Sequence, residues 1–169
     1  TQDRLTLFSQ WWLPASTQPP KAAVLLVHGT FVHSGFYAQW ANYLSQHGYV
    51  VYGLDLRGWG QSQGAGRRGY VSHFNQYGDD LLLAYQTLRQ RYPGIPLFLQ
   101  GESLGGLVAL YAQEQGLFPV DGMVLNAPAV QPALSLGFLR TPQWMAEFEL
   151  FTASIPGKFM PDQPTLVPG

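Results

Sequence analysis

The chain has 169 residues, of which 46% are hydrophobic and only 11% charged, and its formal net charge at pH 7 is −1. A near-neutral chain without a basic run is not expected to bind nucleic acid, and without cysteine it has no disulfide, thiolate metal site or cysteine nucleophile. No apolar segment is long enough to span a bilayer, no signal peptide is recognisable, and the length predicts one domain with a sizeable core.

The scarcity of charge has two interpretations. Either large apolar areas face a lipid-like ligand or another part of the protein, or glycine, proline and uncharged polar residues make up the surface. The composition leaves the compartment open, although a cytoplasmic or membrane-peripheral location fits it.

The predicted elements alternate between strands and helices. Residues 5–13 predict an antiparallel edge strand that carries Trp11 and Trp12. The continuous apolar run 22–27 is typical of a strand buried on both faces. A helix over 36–47 follows, with Gly48 at the position of a C-terminal cap, and residues 49–56 predict the next strand.

The second half of the predicted sheet repeats this alternation. Apolar residues at helical spacing predict a helix over 74–92, which Pro93-Gly94 ends. A strand over 97–100, a helix over 104–115 and a strand over 122–126 complete the series. Such alternation predicts right-handed βαβ units and a parallel sheet.

The sequence changes character after residue 128, where it becomes rich in proline and has no further β-like run. We therefore divide the chain into residues 1–128, part of an α/β core, and residues 129–169, the start of a cap. An amphipathic helix is predicted there, with Thr141 as N-cap and an apolar stripe at Trp144, Phe148, Phe151 and Ile155. The stripe either forms the apolar wall of an acyl-chain site or packs on the core.

A Gly-x-Ser-x-Gly pentapeptide at 101–105 lies between the third buried strand and the helix after it. A serine in such a strand-to-helix turn projects its hydroxyl from a strained bend, so Ser103 is the candidate nucleophile. The Leu104 N–H at the helix start can bind an oxyanion. The Thr30 N–H, at the end of the first parallel strand, is the candidate second donor.

The motif is part of one of four recognisable blocks of sequence. They are His-Gly-Thr-Phe-Val-His-Ser at 28–34, Asp-Leu-Arg-Gly-Trp-Gly-Gln-Ser at 55–62, Arg-Gly-Tyr-Val at 68–71 and Gly-Glu-Ser-Leu-Gly-Gly at 101–106. In this order they resemble the monoacylglycerol lipase and lysophospholipase branch of the α/β-hydrolase fold. Trp59 departs from that pattern, because relatives usually have histidine there.

The resemblance implies a three-layer αβα sandwich with a mainly parallel sheet, incomplete at its C-terminal side. It also implies a serine ester hydrolase that acts on a lipidic or short acyl ester through an acyl-enzyme at Ser103, without metal or cofactor. Phe31, Trp144 and Phe148 are the candidate substrate contacts, and peripheral membrane contact fits such a substrate. The alternatives are an acyltransferase or peptidase on the same scaffold, or a non-catalytic module that binds a lipid or a partner.

The resemblance places an acid and then a histidine after the nucleophile, but all four histidines precede Ser103. We therefore expect the strands that bear acid and base to be missing, and the 169 residues to be inactive alone. The strand at 122–126 would then be an open edge, which predicts self-association or pairing with the missing C-terminal portion.

The histidines fit structural roles better than catalysis. His28 is expected to bond backbone in the loop that carries Thr30. His33 lies in the same loop, His47 ends a helix, and His73 opens one.

Three charged residues lie at predicted strand ends. Asp55 and Arg57 form a pair at the end of the second buried strand, where a role in orienting the Gly-Trp-Gly loop is favoured over a role in catalysis. Glu102, directly before Ser103, is expected either to serve in packing or to anchor a loop.

Overall fold

The computed structural model describes residues 1, 3–15, 17–64, 66 and 68–129. Its strands are β1 (Ser9–Trp12), β2 (Ala22–Val27), β3 (Tyr49–Leu54), β4 (Leu97–Glu102) and β5 (Gly122–Asn126). The helices are α1 (Ala38–Gln46), α2 (Asn75–Arg91) and α3 (Leu104–Glu114), and a short 3₁₀ helix, Ser34–Tyr37, precedes α1. None of the helices in these ranges is long and apolar enough to cross a bilayer.

The described strands form one sheet in the order β1-β3-β2-β4-β5. β1 runs antiparallel to β3, and the other pairs are parallel. Val27 of β2 is in register with Leu54 of β3 and with Gly101 of β4. The carboxyl ends of these three strands therefore lie side by side, and the residues that follow them meet at one edge of the sheet.

The sheet separates two apolar layers. Side chains of β2, β3 and β4 pack with α2 and α3 on one face in a cluster that includes Leu25, Leu54, Leu81, Leu99 and Val108. On the other face, Val24, Leu26 and Val51 pack against Ala41 of α1. This arrangement of helix, sheet and helix confirms the predicted αβα layers.

Two strand boundaries differ from the prediction for a visible reason. β1 begins at Ser9, not at residue 5, because the preceding backbone bonds to the loop after β3. There, Gln63 N–H donates to Thr6 O over 2.9 Å, and Phe8 N–H to Ser62 Oγ over 2.8 Å. β3 ends at Leu54, two residues early, because the Leu56 N–H donates to the His28 ring instead of to a strand.

The loop after β3 is tied to α2 by a buried ion pair. Arg57 donates from Nε and Nη2 to the two carboxylate oxygens of Asp80, each over 2.6 Å, and both side chains are at least 95% buried. Its Nη1 donates to Asp3 over 2.7 Å. The bidentate geometry fixes the start of this loop.

Candidate active site

Ser103 occupies the turn between β4 and α3 with φ +49° and ψ −113°. A positive φ at a residue other than glycine costs on the order of 1–3 kcal/mol and persists only where its surroundings enforce it. Here the Ser103 N–H donates to Asn126 O over 2.9 Å. Its carbonyl accepts from Leu107 over 3.1 Å and from Ala129 over 3.0 Å. Backbone bonds from α3 and from the segment after β5 thus hold the strained turn.

Two glycines of the pentapeptide let this turn pack closely. A Cβ on Gly101 would lie 2.5 Å from the carbonyl oxygen of Gly105. A Cβ on Gly105 would lie 2.2 Å from Val27 O and 2.6 Å from His28 O. All three distances are far below van der Waals contact, so only glycine allows the first turn of α3 to approach the ends of β2 and β4.

The loop after β2 passes directly beside Ser103. A Cβ built on Gly29 would lie 3.3 Å from the Ser103 Cβ, and Thr30 follows it. The Leu104 N–H is at the first position of α3, where backbone donors have no partner within the helix. The structure thus brings Ser103 and Leu104 close to the segment that carries Thr30, and the catalytic roles of these residues stay predictions.

His28 is fully buried and bonds through both ring nitrogens. Its Nδ1–H donates to Gly29 O over 2.7 Å, and its Nε2 accepts the Leu56 N–H over 2.9 Å. These two bonds fix one neutral tautomer. Burial lowers the pKa of the imidazole below its usual value. The predicted structural role of His28 is confirmed.

This neutral ring gives the fold a specific pH dependence. Below about pH 6.5, His28 is protonated in the unfolded chain but not in the folded chain. The free energy of unfolding therefore decreases as the pH is lowered, until the pH reaches the lowered pKa of the folded state. We expect a His28→Gln variant to be less stable at pH 7 and to lose this slope, which is at most about 1.4 kcal/mol per pH unit. Urea unfolding between pH 7 and pH 5 tests this, and equal slopes in both proteins would contradict it.

The other histidines lie in or beside turns and helix ends, where His33 and His47 form hydrogen bonds with residues close in sequence. His33 Nδ1 accepts the Gly35 N–H over 3.2 Å and caps the 3₁₀ helix. His47 Nδ1–H donates to Tyr43 O over 2.7 Å just after α1, and His73 lies in the turn before α2. None of these contacts involves Ser103.

Asp55 and Arg57 do not pair with each other. Asp55 is fully buried and accepts both the N–H of Ser34, over 2.7 Å, and its hydroxyl, over 2.5 Å. Its other carboxylate oxygen accepts the Gln61 N–H over 2.9 Å. Asp55 therefore joins the Gly-Trp-Gly loop to the loop after β2, whereas Arg57 joins it to α2.

Phe31 and Trp59 form a second link between these two loops. Phe31 has φ +69° and is 37% exposed. Its ring meets Trp59 edge to face, with centroids 5.7 Å apart. Trp59 itself is buried, and its indole N–H finds no hydrogen-bond acceptor within the described part of the chain.

Tyr37 is a site residue that the sequence analysis missed. Its hydroxyl donates to Glu102 Oε2 and accepts the Gly29 N–H over 3.2 Å. The predicted anchoring role of Glu102 is thereby located, but its partner is a tyrosine in the 3₁₀ helix. Tyr37 offered no sequence signal beyond its place in the predicted helix over 36–47.

Two predicted substrate contacts, Trp144 and Phe148, lie outside the described residues, as does almost all of the predicted cap. Within the described ranges, no group of histidine, aspartate and glutamate side chains could hold a metal ion.

Comparisons with known proteins place the chain among characterised sequences. A sequence model of the family described as "Serine aminopeptidase, S33" matches residues 18–165. The monoglyceride lipase of Homo sapiens is 34% identical over 156 residues, which are 92% of this chain and 48% of that protein. The monoacylglycerol lipase of Mycolicibacterium smegmatis is 31% identical over 121 residues, 70% of this chain and 41% of that protein. The chain thus spans half or less of the length of these relatives.

Solved structures similar to this chain also include monoglyceride and monoacylglycerol lipases. A soluble variant of monoglyceride lipase from Saccharomyces cerevisiae, in complex with a substrate analog, matches with a TM-score of 0.66 and 27% identity. That match covers 75% of this chain and 42% of the other. A monoacylglycerol lipase from Paleococcus ferrophilus matches with a TM-score of 0.62 and 27% identity, over 89% of this chain and 52% of the other.

Proposed function

Because the chain belongs to the family described as serine aminopeptidase, S33, and has an α/β-hydrolase fold, we propose that it carries the nucleophile of a serine ester hydrolase. The observation that carries the proposal is the strained Ser103 turn, which lies against Gly29 and begins α3. It supports the proposal because a serine in such a turn projects its hydroxyl, and the N–H groups of Thr30 and Leu104 are the proposed oxyanion donors.

The proposed reaction follows from these positions. The Ser103 Oγ attacks the ester carbonyl and gives its proton to a base, while the N–H groups of Thr30 and Leu104 bind the oxyanion. Collapse of the tetrahedral intermediate releases the alcohol, which takes a proton, and leaves an acyl group on Ser103. Water then gives a proton to the same base and attacks the acyl carbon, and collapse of this second tetrahedral intermediate breaks the bond to Ser103 Oγ, which regains its proton as the carboxylic acid leaves.

The proposed substrate is a lipidic or short acyl ester. The support is the printed names of the relatives, monoglyceride and monoacylglycerol lipases, and the partly exposed Phe31 ring directly after Thr30. We also propose that residues 129–169 start a cap whose Trp144 and Phe148 contact the acyl chain. Contact with a lipid surface fits the same proposal.

Peptide-bond hydrolysis is the second candidate, because the matching family is described as an aminopeptidase. The two activities are separated by comparing p-nitrophenyl acyl esters with amino-acid p-nitroanilides. Turnover of the anilides alone would replace the ester proposal.

A fluorophosphonate probe tests the nucleophile directly. In the longest natural polypeptide that contains the chain, we expect one probe adduct per molecule, located at Ser103 by peptide mass spectrometry, because only an activated serine reacts quickly with this probe. The residues after Ser103 include no histidine to act as base. The experiment is therefore run on this chain, which we propose to have little activity alone, and on any longer natural polypeptide that contains it.

The exposed Ser72 provides the matched control. A Ser72→Ala variant should be labelled as fast as the unaltered protein, because the hydrogen bonds of Ser72 within the described part of the chain go to Gln76 in its own turn. An adduct at another serine, or no adduct in the longest natural polypeptide, would overturn the proposal.

A further inference from the structure

The Tyr37 hydroxyl connects the carboxyl ends of two strands, β2 and β4. One partner is Gly29, in the loop after β2, whose N–H donates to the hydroxyl over 3.2 Å. The other is Glu102 at the end of β4, whose carboxylate accepts the hydroxyl proton. These partners directly precede Thr30 and Ser103, so one oxygen atom links the two segments that would bind and attack the carbonyl.

The bridge has a defined polarity. A tyrosine that donates to a carboxylate becomes a better acceptor, so each of its two hydrogen bonds strengthens the other. Burial, together with the bond to Glu102, raises the pKa of Tyr37 well above its usual value. The hydroxyl therefore keeps its proton and remains able to donate to Glu102 over the physiological pH range.

The ring that carries this hydroxyl is held firmly. Tyr37 is the last residue of the 3₁₀ helix and packs, partly buried, against the apolar layer between α1 and the sheet. Its ring also meets Phe36 with centroids 5.6 Å apart. The hydroxyl position is therefore set by the fold, so it can transmit a fixed spacing to both loops.

We propose that Tyr37, anchored by Glu102, is a positioning residue that holds the Gly29–Thr30 segment at the distance from Ser103 that oxyanion binding requires. This inference rests on the proposed ester hydrolysis. Removing the hydroxyl frees the Gly29 amide and lets the donor at Thr30 move. The consequence falls on the chemical step, because the oxyanion forms only after the substrate is bound.

The first test needs no catalytic activity. In Tyr37→Phe we expect the amide resonance of Gly29 to shift and its hydrogen exchange to become roughly three- to tenfold faster, as for the loss of one hydrogen bond. Tyr43→Phe is the matched control, since Tyr43 lies in the following helix, α1, and is 60% exposed. A Gly29 amide that is unchanged in Tyr37→Phe overturns the proposal.

The second test is kinetic and uses the longest natural polypeptide that contains the chain. We expect Tyr37→Phe to lower kcat for a p-nitrophenyl ester roughly tenfold to a hundredfold with little change in KM. Glu102→Ala should match this loss, Glu102→Gln should retain more activity because it keeps an acceptor, and the double variant Tyr37→Phe/Glu102→Ala should lose no more than either single change.

The outcomes separate the two proposals. Lack of turnover and of probe labelling in the unaltered protein contradicts the proposed function, and the amide measurement then decides on the bridge alone. An active enzyme whose kcat is unchanged by Tyr37→Phe overturns the positioning role. So does a fall in kcat/KM that comes only from KM, because a purely structural change of the binding surface would produce it.

Discussion

Replacing Ser103 with alanine is expected to lower kcat/KM for ester hydrolysis by about 10⁴-fold or more. The reason is that Ser103 supplies the atom that forms the bond to the acyl carbon, and no other group in the strained turn can replace it. Initial rates with p-nitrophenyl butyrate, at enzyme concentrations set by active-site titration of the unaltered protein, provide the measurement.

A Ser103→Gly variant sharpens this prediction. The turn has φ +49°, which glycine adopts freely, so the glycine variant should be more stable than the alanine variant by about 1 kcal/mol while being equally inactive. Urea unfolding measures that difference. Turnover near the original rate in either variant would show that Ser103 is not the nucleophile, whereas equal stability of the two would contradict the strain.

The sheet and the turn were predictable because both depend on local sequence. The pentapeptide at 101–105 indicates a tight strand-to-helix turn. Its glycines are needed where two backbones touch, and the serine between them must project from the turn. The continuous apolar run of β2 likewise marks a strand buried on both faces. Local patterns of this kind specify which element forms, and the register of parallel strands then brings their ends together.

The partners of the polar side chains were not predictable in the same way. Glu102 bonds to Tyr37 across 65 residues, and Asp55 bonds to Ser34 across 21, not to nearby Arg57. Such contacts depend on which loop ends at the same edge of the sheet and on side-chain direction. Neither is encoded in spacing along the chain, so the sequence indicated an anchoring acid and an orienting acid but not what they hold.

The backbone hydrogen bonds that support Ser103 from the end of β5 and the segment after it were not predictable either. Asn126 is the last residue of β5, and the sequence analysis assigned it no role. In the structure its carbonyl oxygen accepts the Ser103 N–H, and Ala129 N–H donates to Ser103 O. Main-chain atoms carry no residue-specific signal, so this support of the nucleophile appears only when β5 is placed beside β4.

Gly105→Ala is expected to destabilise the fold by about 3 kcal/mol or more, and to abolish probe labelling of Ser103. The new Cβ would lie 2.2 Å from Val27 O and 2.6 Å from His28 O, and both atoms belong to the backbone at the end of β2, which cannot rotate away. The first turn of α3 must therefore shift, and the Leu104 N–H shifts with it. Urea unfolding and labelling rate measure the two effects.

Helix propensity makes this prediction stringent, because alanine favours a helix over glycine by about 1 kcal/mol. A stabilised Gly105→Ala protein would thus show that propensity outweighs the clash and that the approach of α3 to β2 is looser than described. Gly94→Ala is the matched control. Gly94 has φ +78° and nothing within 4 Å of the added Cβ, so its cost should be only the left-handed backbone, about 1 kcal/mol, with labelling unchanged. A larger loss of stability in Gly105→Ala than in Gly94→Ala would then identify steric contact at the Ser103 turn as the reason that the pentapeptide ends in glycine.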